Sequence, residues 1–361
     1  MKIFSNENEI TPMIIQELLR KSKSLEHVEV KGIKITRTFS TLTSNICLIK
    51  VNYSNKSHII APKSLFLKMS KEEYFNPEVI KNEVVFYNTV ASQMGVLPII
   101  PCYDAKFDEN TRRSHIILED VSKTHFQTDW PIPPTNINCE RHVEGLAKLH
   151  AFWWDNERLE EIMDKNDWIK HFDYEKEVKK KERLLQEFLN FIGNRISKPR
   201  KNILKISIEY AVRYLWESYV EGENLTLCHG DAHAWNALYP KDDINGNLYF
   251  MDWQDVWVFK GASDLAYFMA LHWSPERRKR LEALFLRKYH EILKKSGIKD
   301  YSWKECYKDY RSAIILFLHD AIVEWWSAKN VPPSVWWYHS ERALSAFEDL
   351  NCKELIKLKK E

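Results

Sequence analysis

An aspartate, an asparagine five residues on and a second aspartate closing an apolar stretch form the most informative pattern in this chain. The run His229-Gly230-Asp231-Ala232-His233-Ala234-Trp235-Asn236 supplies the first two, and Asp252, directly after Leu248-Tyr249-Phe250-Met251, supplies the third. This is the residue set that a magnesium-dependent phosphoryl transfer requires. One carboxylate accepts or orients the proton of an attacking hydroxyl, while an amide oxygen and the other carboxylate hold hard divalent cations against nucleotide phosphates. On this reading Asp231 is the catalytic base or orienter and Asn236 and Asp252 are metal ligands, with Cys228 and His229 packed to fix the loop. The same stretch admits a second chemistry, with His229, Asp231 and His233 at alternating positions as ligands of a zinc or dinuclear hydrolase centre. No second His/Cys cluster follows downstream, and a closed site needs about four ligands.

A lysine and a glutamate point the same way as the acidic pattern. Lys68 interrupts the apolar stretch Leu65-Phe66-Leu67-Lys68-Met69. Glu83 stands four residues after Val79 and three, four and seven before Phe86, Tyr87 and Val90, in the middle of a helix's apolar face. A carboxylate buried there needs a partner, and Lys68 on a neighbouring strand is the natural one. Such a pair can hold an ammonium group against phosphates. Glu119-Asp120-Val121 follows the apolar run His115-Ile116-Ile117-Leu118, where backbone groups leaving a strand can hydrogen-bond an adenine edge. Acids at a strand end also serve simply as turns.

The elements that must carry these residues come in a definite order. Strands are expected over 33–37, 46–51, 65–69 and 115–118, with a polar turn at 40–45 and a single helix in this first third. That helix runs from about 77 to 94, with Asn76 as N-cap, Pro77 at its first position and Gly95 closing it. The Pro-rich piece 130–134 marks a loop just inside a second lobe. Beyond it helical periodicity dominates: the face Val143, Leu146, Ala147, His150, Trp154, then helices over 174–190, 203–219, 275–296, 312–328 and 333–350. Strands first and helices later give an α+β, two-lobed molecule: an N-terminal lobe over 1–118, a hinge over 119–124 and a C-terminal lobe over 125–361.

Composition narrows the partners. Lys+Arg total 53 against 51 Asp+Glu, which gives no electrostatic case for nucleic acid or an anionic membrane. With 44% hydrophobic and 29% charged residues over 361 positions, a folded chain with a substantial core is expected. Acidic residues near the start where a signal peptide would turn apolar, the absence of a spanning apolar run, and six scattered cysteines suggest free thiols and a cytoplasmic location.

His229-Gly230-Asp231-x-x-x-x-Asn236 with Asp252-Trp253-Gln254 resembles the aminoglycoside phosphotransferase superfamily. Leu227-Cys228-His229-Gly230-Asp231, Met251-Asp252-Trp253-Gln254 and Asp264-Leu265-Ala266-Tyr267-Phe268 are most similar to its choline-kinase-like and ecdysteroid-kinase-like branch. Leu118-Glu119-Asp120-Val121 and Leu146-Ala147-Lys148-Leu149-His150-Ala151 with Trp153 also sit where that branch has similar stretches, so the resemblance spans roughly 36–268. It implies a protein-kinase-like fold with a nucleotide cleft between lobes, and ATP (or GTP) and magnesium as cofactors. By resemblance Asp231 is catalytic, Asn236 and Asp252 hold the metals, Lys68 and Glu83 clamp phosphate, and Glu119, Asp120 and Val121 form the hinge. Two departures matter. The phosphate-covering turn has no glycine and must rely on Ser40, Thr41, Thr43 and Ser44, and the family's middle Pro-Gly is replaced by Ala234-Trp235.

The expected activity is phosphorylation of a hydroxyl on a small organic acceptor; the reading from a different class is a catalytically silent binding protein of the same fold. Asp264 is expected to anchor its helix to the catalytic loop, and His150 to be a satisfied core histidine. His233, Asp320, Glu324 and Trp325 are the candidates for the acceptor side. Between 302 and 350 seven acids face five bases and five tryptophans are present, which favours a neutral or largely apolar acceptor over a polycationic one. Asp320 and Glu324, four apart on one helix, leave room for a single ammonium group.

Overall fold

The computed structural model describes residues 3–41, 43–54, 61–71, 77–95, 99–162, 171–242, 246–327 and 331–357. Asn76 and Leu42, named above as an N-cap and as part of the 40–45 turn, lie outside them. The chain forms two compact units: Met1–Gln127 with Asn236–Val256, and Thr128–Trp235 with Trp257–Glu361. The division expected at 118–124 therefore differs from the packing. The segment Asn236–Val256 belongs with the N-terminal residues because its strands pair there, as described next.

In the first unit, β1 (Val30–Ser40), β2 (Ser44–Tyr53), β3 (Ser64–Ser70), β4 (Cys102–Asp108) and β5 (Arg113–Glu119) make an antiparallel sheet in the order β1-β2-β3-β5-β4. The strand β4, Cys-Tyr-Asp-Ala-Lys-Phe-Asp, has no clean apolar alternation and was not expected. Along β3, Leu65, Leu67 and Met69 are buried on one face while Phe66 and Lys68 occupy the other, as the two-residue period of a strand dictates. The first face packs into a core with Ile15, Leu18 and Leu19 of α1 (Pro12–Leu19). Among the described residues, two α-helices, not one, thus belong to this third of the chain. The signals for α1 were present: Thr11 caps it, Pro12 opens it and its apolar residues recur at helical spacing.

The second helix carries Glu83. Regular α-helix covers Pro77–Val85 (α2), after which the chain widens into a π turn at Phe86–Val90 and tightens into a 3-10 turn at Ala91–Gln93. A single α-helix to 94 is therefore corrected; the widened turn buries Phe86, Tyr87 and Val90 together. Gly95 follows at φ 56°, a left-handed backbone that suits glycine. Three short strands complete the unit. β8 (Ala237–Pro240) lies between β6 (His125–Phe126) and β9 (Tyr249–Phe250), and Ile99 bridges to Phe250.

Among its described residues the second unit is helical apart from β7 (Thr226–Cys228) paired with β10 (Trp257–Phe259). Its helices are α3 (Asn136–Trp153), α4 (Tyr174–Ile192), α5 (Lys198–Glu221), α6 (Ala262–Ala266), α7 (Pro275–Lys295), α8 (Trp303–Phe317), α9 (Asp320–Trp326) and α10 (Pro333–Asp349), besides shorter turns. The helix expected over 312–328 is two. One begins earlier, at a capping box of Ser302 and Glu305, and ends at Phe317; the chain breaks at Leu318-His319 before α9 starts. Trp153, Phe188, Phe259, Tyr289, Tyr301 and Tyr310 are among the largest fully buried side chains of this unit. No described helix is long and apolar enough to cross a membrane, and all six cysteines are free.

Candidate active site

In the first unit the predicted pair is a three-membered cluster. Lys68 Nζ lies 2.6 Å from Glu83 Oε2 and 2.7 Å from Asp252 Oδ1. Each element has a reason to deliver its residue. Lys68 stands on the β3 face opposite the α1 core, at the register Ile46↔Lys68↔Ile116. Glu83, buried, projects from α2 and also accepts the Trp253 backbone N–H. Phe86 stacks on Trp253 at 4.1 Å and 9°, which fixes the segment after Asp252 against the helix that carries Glu83. Burial alone pulls the Lys68 ammonium down, but the Asp252 and Glu83 carboxylates outweigh it and hold the lysine charged. Burial also pushes the Glu83 carboxyl up, with Lys68 opposing the shift.

Asn236 and Asp252 come together for a simple topological reason. Ala237 pairs with Phe250 in the β8–β9 ladder, and the Met251 N–H donates to the Asn236 carbonyl at 3.0 Å, so both candidate ligands stand at the same end of one hairpin. Asp252 itself adopts φ 64°, ψ 62°, a left-handed backbone unusual for a residue with a side chain and best tolerated by Asp, Asn and Gly. Such outliers cluster at functional positions.

At the expected hinge, Glu119 N–H donates to the Pro101 carbonyl at 2.9 Å and Asp120 N–H to the Ser64 carbonyl at 3.0 Å. Pro101, opposite Glu119, has no N–H to return, so the ladder cannot satisfy the Glu119 carbonyl from that side. The Asp120 side chain caps Ser122 N–H at 3.0 Å, and the Val121 carbonyl accepts from Thr124 and His125. In the turn between β1 and β2 the hydroxyls bond within the turn: Ser40 Oγ to Asn45 Oδ1 at 2.7 Å, Thr41 Oγ1 accepting Ser44 N–H at 3.1 Å, and Thr43 Oγ1 3.3 Å from Ser44 Oγ.

In the second unit Asp231 follows β7 on a loop whose turn needs Gly230 at φ 82°. Asp231 Oδ2 lies 3.5 Å from His233 Nε2, and the Tyr267 hydroxyl hydrogen-bonds the Asp231 carboxylate. Burial pushes the Tyr267 phenol well above its ordinary range, with Asp231 adding to it, so the hydroxyl remains a donor. The loop backbone is held from two sides. His142 Nε2 reaches the Ala232 carbonyl at 3.0 Å, while Asp264 accepts the His229 and Gly230 N–H groups at 2.6 and 3.1 Å. His142 stacks on Phe268 at 4.0 Å, and burial drives its pKa down to about 3, so it is neutral.

His229, Asp231 and His233 do not converge as metal ligands. Among the described residues, the His/Cys/Asp/Glu group whose ligating atoms close on one another is His150, Cys228 and Asp264. His229 is fully buried and its Nδ1 accepts the Asp231 N–H at 3.3 Å, a structural role. The acceptor-side candidates Asp320 and Glu324 lie near Tyr267, whose phenol feels both of them along with Asp231, and His233 joins the same surroundings through His272 and His339. His233 sits beside Trp235 and His272, with ring centroids 5.5 and 5.2 Å away. Glu324 is bonded to His339 Nδ1 at 2.9 Å, Asp320 faces Lys181, and Trp325 packs on Phe188 and Phe191. The two acids feel each other's charge, and each also has a cationic or imidazole neighbour. Tyr267, His142 and Tyr289 were not singled out from the sequence, where an aromatic residue on an apolar helix face carries no sign of its polar tip.

The chain matches the ecdysteroid kinase-like family over residues 40–300 and belongs to it. Its fold is the α+β protein-kinase-like fold of the small-molecule phosphotransferases. A candidate aminoglycoside phosphotransferase of Ralstonia eutropha aligns at TM-score 0.53 with 13% identity, covering 93% of this chain and 98% of that one. The spectinomycin phosphotransferase APH(9)-Ia, solved with ADP and spectinomycin, aligns at 0.50 with 12% identity over 95% and 99%. A microcompartment-associated aminopropanol kinase aligns at 0.50 with 11% identity over 94% and 96%. No curated protein matches the chain in sequence.

Proposed function

We propose that this protein is an ATP- and Mg²⁺-dependent phosphotransferase that phosphorylates a hydroxyl group of a small organic acceptor. The observation that carries this reading is Lys68 between Glu83 and Asp252, because it joins residues 184 positions apart into one charged cluster. One ammonium flanked by two carboxylates offers polyphosphate no surplus positive charge, so nucleotide binding there calls for a divalent cation. The donor set suits one: the Asn236 amide oxygen and the Asp252 carboxylate are hard oxygen ligands of the kind Mg²⁺ takes. When bound, the ion supplies neutralisation of phosphate charge. Lys68 orients the phosphates, held at its post by Glu83. The Glu119 carbonyl, unanswered by Pro101, is a natural acceptor for an exocyclic amine of the base. Asp231, oriented by Tyr267, aligns the acceptor hydroxyl and takes its proton.

The acceptor class follows from the compensated acids. Glu324 is engaged by His339, and burial pushes Asp320 up to about 6 with Lys181 opposing the shift, so neither is an uncommitted counter-ion for a polycation. A neutral or largely apolar hydroxylated acceptor fits, with kanamycin-type compounds poor substrates. The test is thermal shift with ATP, with and without Mg²⁺, followed by ADP release across hydroxylated compounds that include steroid-like, macrolide-like, choline-like and aminoglycoside members. A Mg²⁺-dependent shift and turnover on neutral acceptors are expected. Absence of any Mg·ATP-dependent shift and of ADP release would remove the proposal, and efficient aminoglycoside phosphorylation would remove the acceptor class.

A further inference from the structure

We infer that His150 and Tyr289 are positioning residues: together they fix Asp264, and Asp264 fixes the backbone of the loop that carries Asp231. Asp264, 1% exposed, has both oxygens occupied: Oδ2 accepts the His229 N–H at 2.6 Å and faces His150 Nε2 at 3.2 Å, and Oδ1 accepts the Gly230 N–H at 3.1 Å. A helix anchor could end there. It continues instead, because His150 is also fully buried and its second nitrogen, Nδ1, lies 2.9 Å from the Tyr289 hydroxyl.

The donor chemistry gives the run a direction. A carboxylate only accepts, so Nε2 of His150 carries a proton toward Asp264, while Nδ1 meets the Tyr289 hydroxyl, which can donate or accept. Turning the imidazole over forfeits both bonds. Burial pushes Asp264 up, but the bonds from His150 and the His229 amide outweigh it and keep the carboxylate ionised. Three helices meet at this point: α3 brings His150, α6 brings Asp264 and α7 brings Tyr289. The strand leading into the loop is tied to the same place, since Thr226 Oγ1 donates to the His150 carbonyl at 2.8 Å.

The fit is tight enough to exclude other readings. A Cβ on Gly261 would stand 2.4 Å from Tyr289 Oη and 2.6 Å from His150 Nδ1, so glycine alone leaves the pair in place. Cys228 Sγ also lies within the group, but both imidazole nitrogens and both carboxylate oxygens already face protein donors or acceptors. Burial holds the Cys228 thiol protonated, and Ser263 Oγ is 3.7 Å from its sulfur. The triplet is a hydrogen-bond network rather than a cation site. A group that must meet a hydroxyl in line with a phosphate needs sub-ångström placement, and buried partners behind it provide that.

The reason this placement matters rests on the phosphotransfer proposal; the placement itself can be measured without it. Hydrogen–deuterium exchange at 229–231 is compared in the wild type, His150→Leu, His150→Gln and Tyr289→Phe, alongside ADP release from Mg·ATP with water as acceptor and the Kd for metal-free ATP. Exchange at those amides is expected to rise about tenfold in His150→Leu and about threefold in Tyr289→Phe, with peptides elsewhere in α3 and α7 unchanged. ADP release should fall by similar factors at constant ATP affinity, and His150→Gln, which keeps an N–H for Asp264, should recover part of the loss. Unchanged protection at 229–231, or loss spread evenly over the unit, overturns the inference. If the wild type neither binds nor turns over Mg·ATP, the phosphotransfer proposal fails and the exchange result alone decides the positioning role. If His150→Leu does not fold, the near-isosteric Tyr289→Phe decides it.

Discussion

The Lys68–Glu83–Asp252 cluster and the Tyr289–His150–Asp264 run are both polar groups withdrawn from water, one in each compact unit, and they are finished to different degrees. In the second, every donor meets an acceptor and every member is at most 1% exposed. In the first, a single cation serves two carboxylates, and the Asp252 side chain remains 28% exposed. A network completed by the protein contributes stability and shape. One left short of charge is a place where a ligand completes it, and the protein alone gains little from it.

Substitutions can break that contrast. The largest effect is expected at the residue the finished network holds: Asp231→Asn should lower kcat by roughly 10²–10⁴-fold while leaving Mg·ATP affinity within about twofold. Wild-type turnover in this variant would remove Asp231 from the mechanism. Next, Asp264→Ala strips the His229 and Gly230 amides and His150 of their shared acceptor, and urea unfolding should show a loss of about 3–5 kcal/mol. A loss below about 1 kcal/mol would mean the network is not integral to stability.

Asp252→Asn sharpens the comparison from the other side. Asparagine keeps the left-handed backbone and removes one of the charges beside Lys68, so the melting temperature should hold while Mg·ATP affinity falls about 10–100-fold and metal-free ATP affinity does not. Calorimetry with and without Mg²⁺ separates the two, and equal losses in both titrations would make the residue structural.

The smallest effect concerns the buried imidazoles. Burial lowers His142 and His319 to about 3, against about 6.5 in an unfolded chain. Above the unfolded value neither state takes a proton. As pH falls below it, the unfolded chain binds protons that the folded chain refuses, so stability declines by up to about 1.4 kcal/mol per pH unit for each histidine. Asp320, raised to about 6, acts in the opposite sense and regains stability between about 6 and its unfolded value. Urea midpoints at about pH 7.5, 6.5 and 5.5 check this; a flat profile would contradict the burial of these rings.

The Lys68–Glu83 pair of the first cluster was legible in the linear chain because its logic is local. A lysine inside an apolar strand and a glutamate inside an apolar helix face are each anomalies of periodicity, and the spacing of Asp231, Asn236 and Asp252 is short. The α+β order of elements was legible for the same reason. Of the second network, only the Asp264 anchor was. His150 and Tyr289 are 139 positions apart, and each alone looks like ordinary core. The return of Asn236–Val256 to the first unit depends on two-residue strands whose pairing no local pattern announces. The break at Leu318-His319 lies within a continuous apolar rhythm, so a tertiary contact such as Ser207 Oγ to His319 Nε2 at 3.0 Å is invisible to it.

The left-handed backbone at Asp252 also sets what heredity can do at that site. A single nucleotide change turns an aspartate codon into one for asparagine or glycine, and those are the residues that tolerate the same φ. Two of the single-step neighbours at this position therefore keep the hairpin's backbone while discarding its carboxylate. On the proposed function, lineages carrying this architecture stand one step from a well-folded relative that lacks the acid assigned to the metal, so loss of transfer chemistry need not pass through loss of structure.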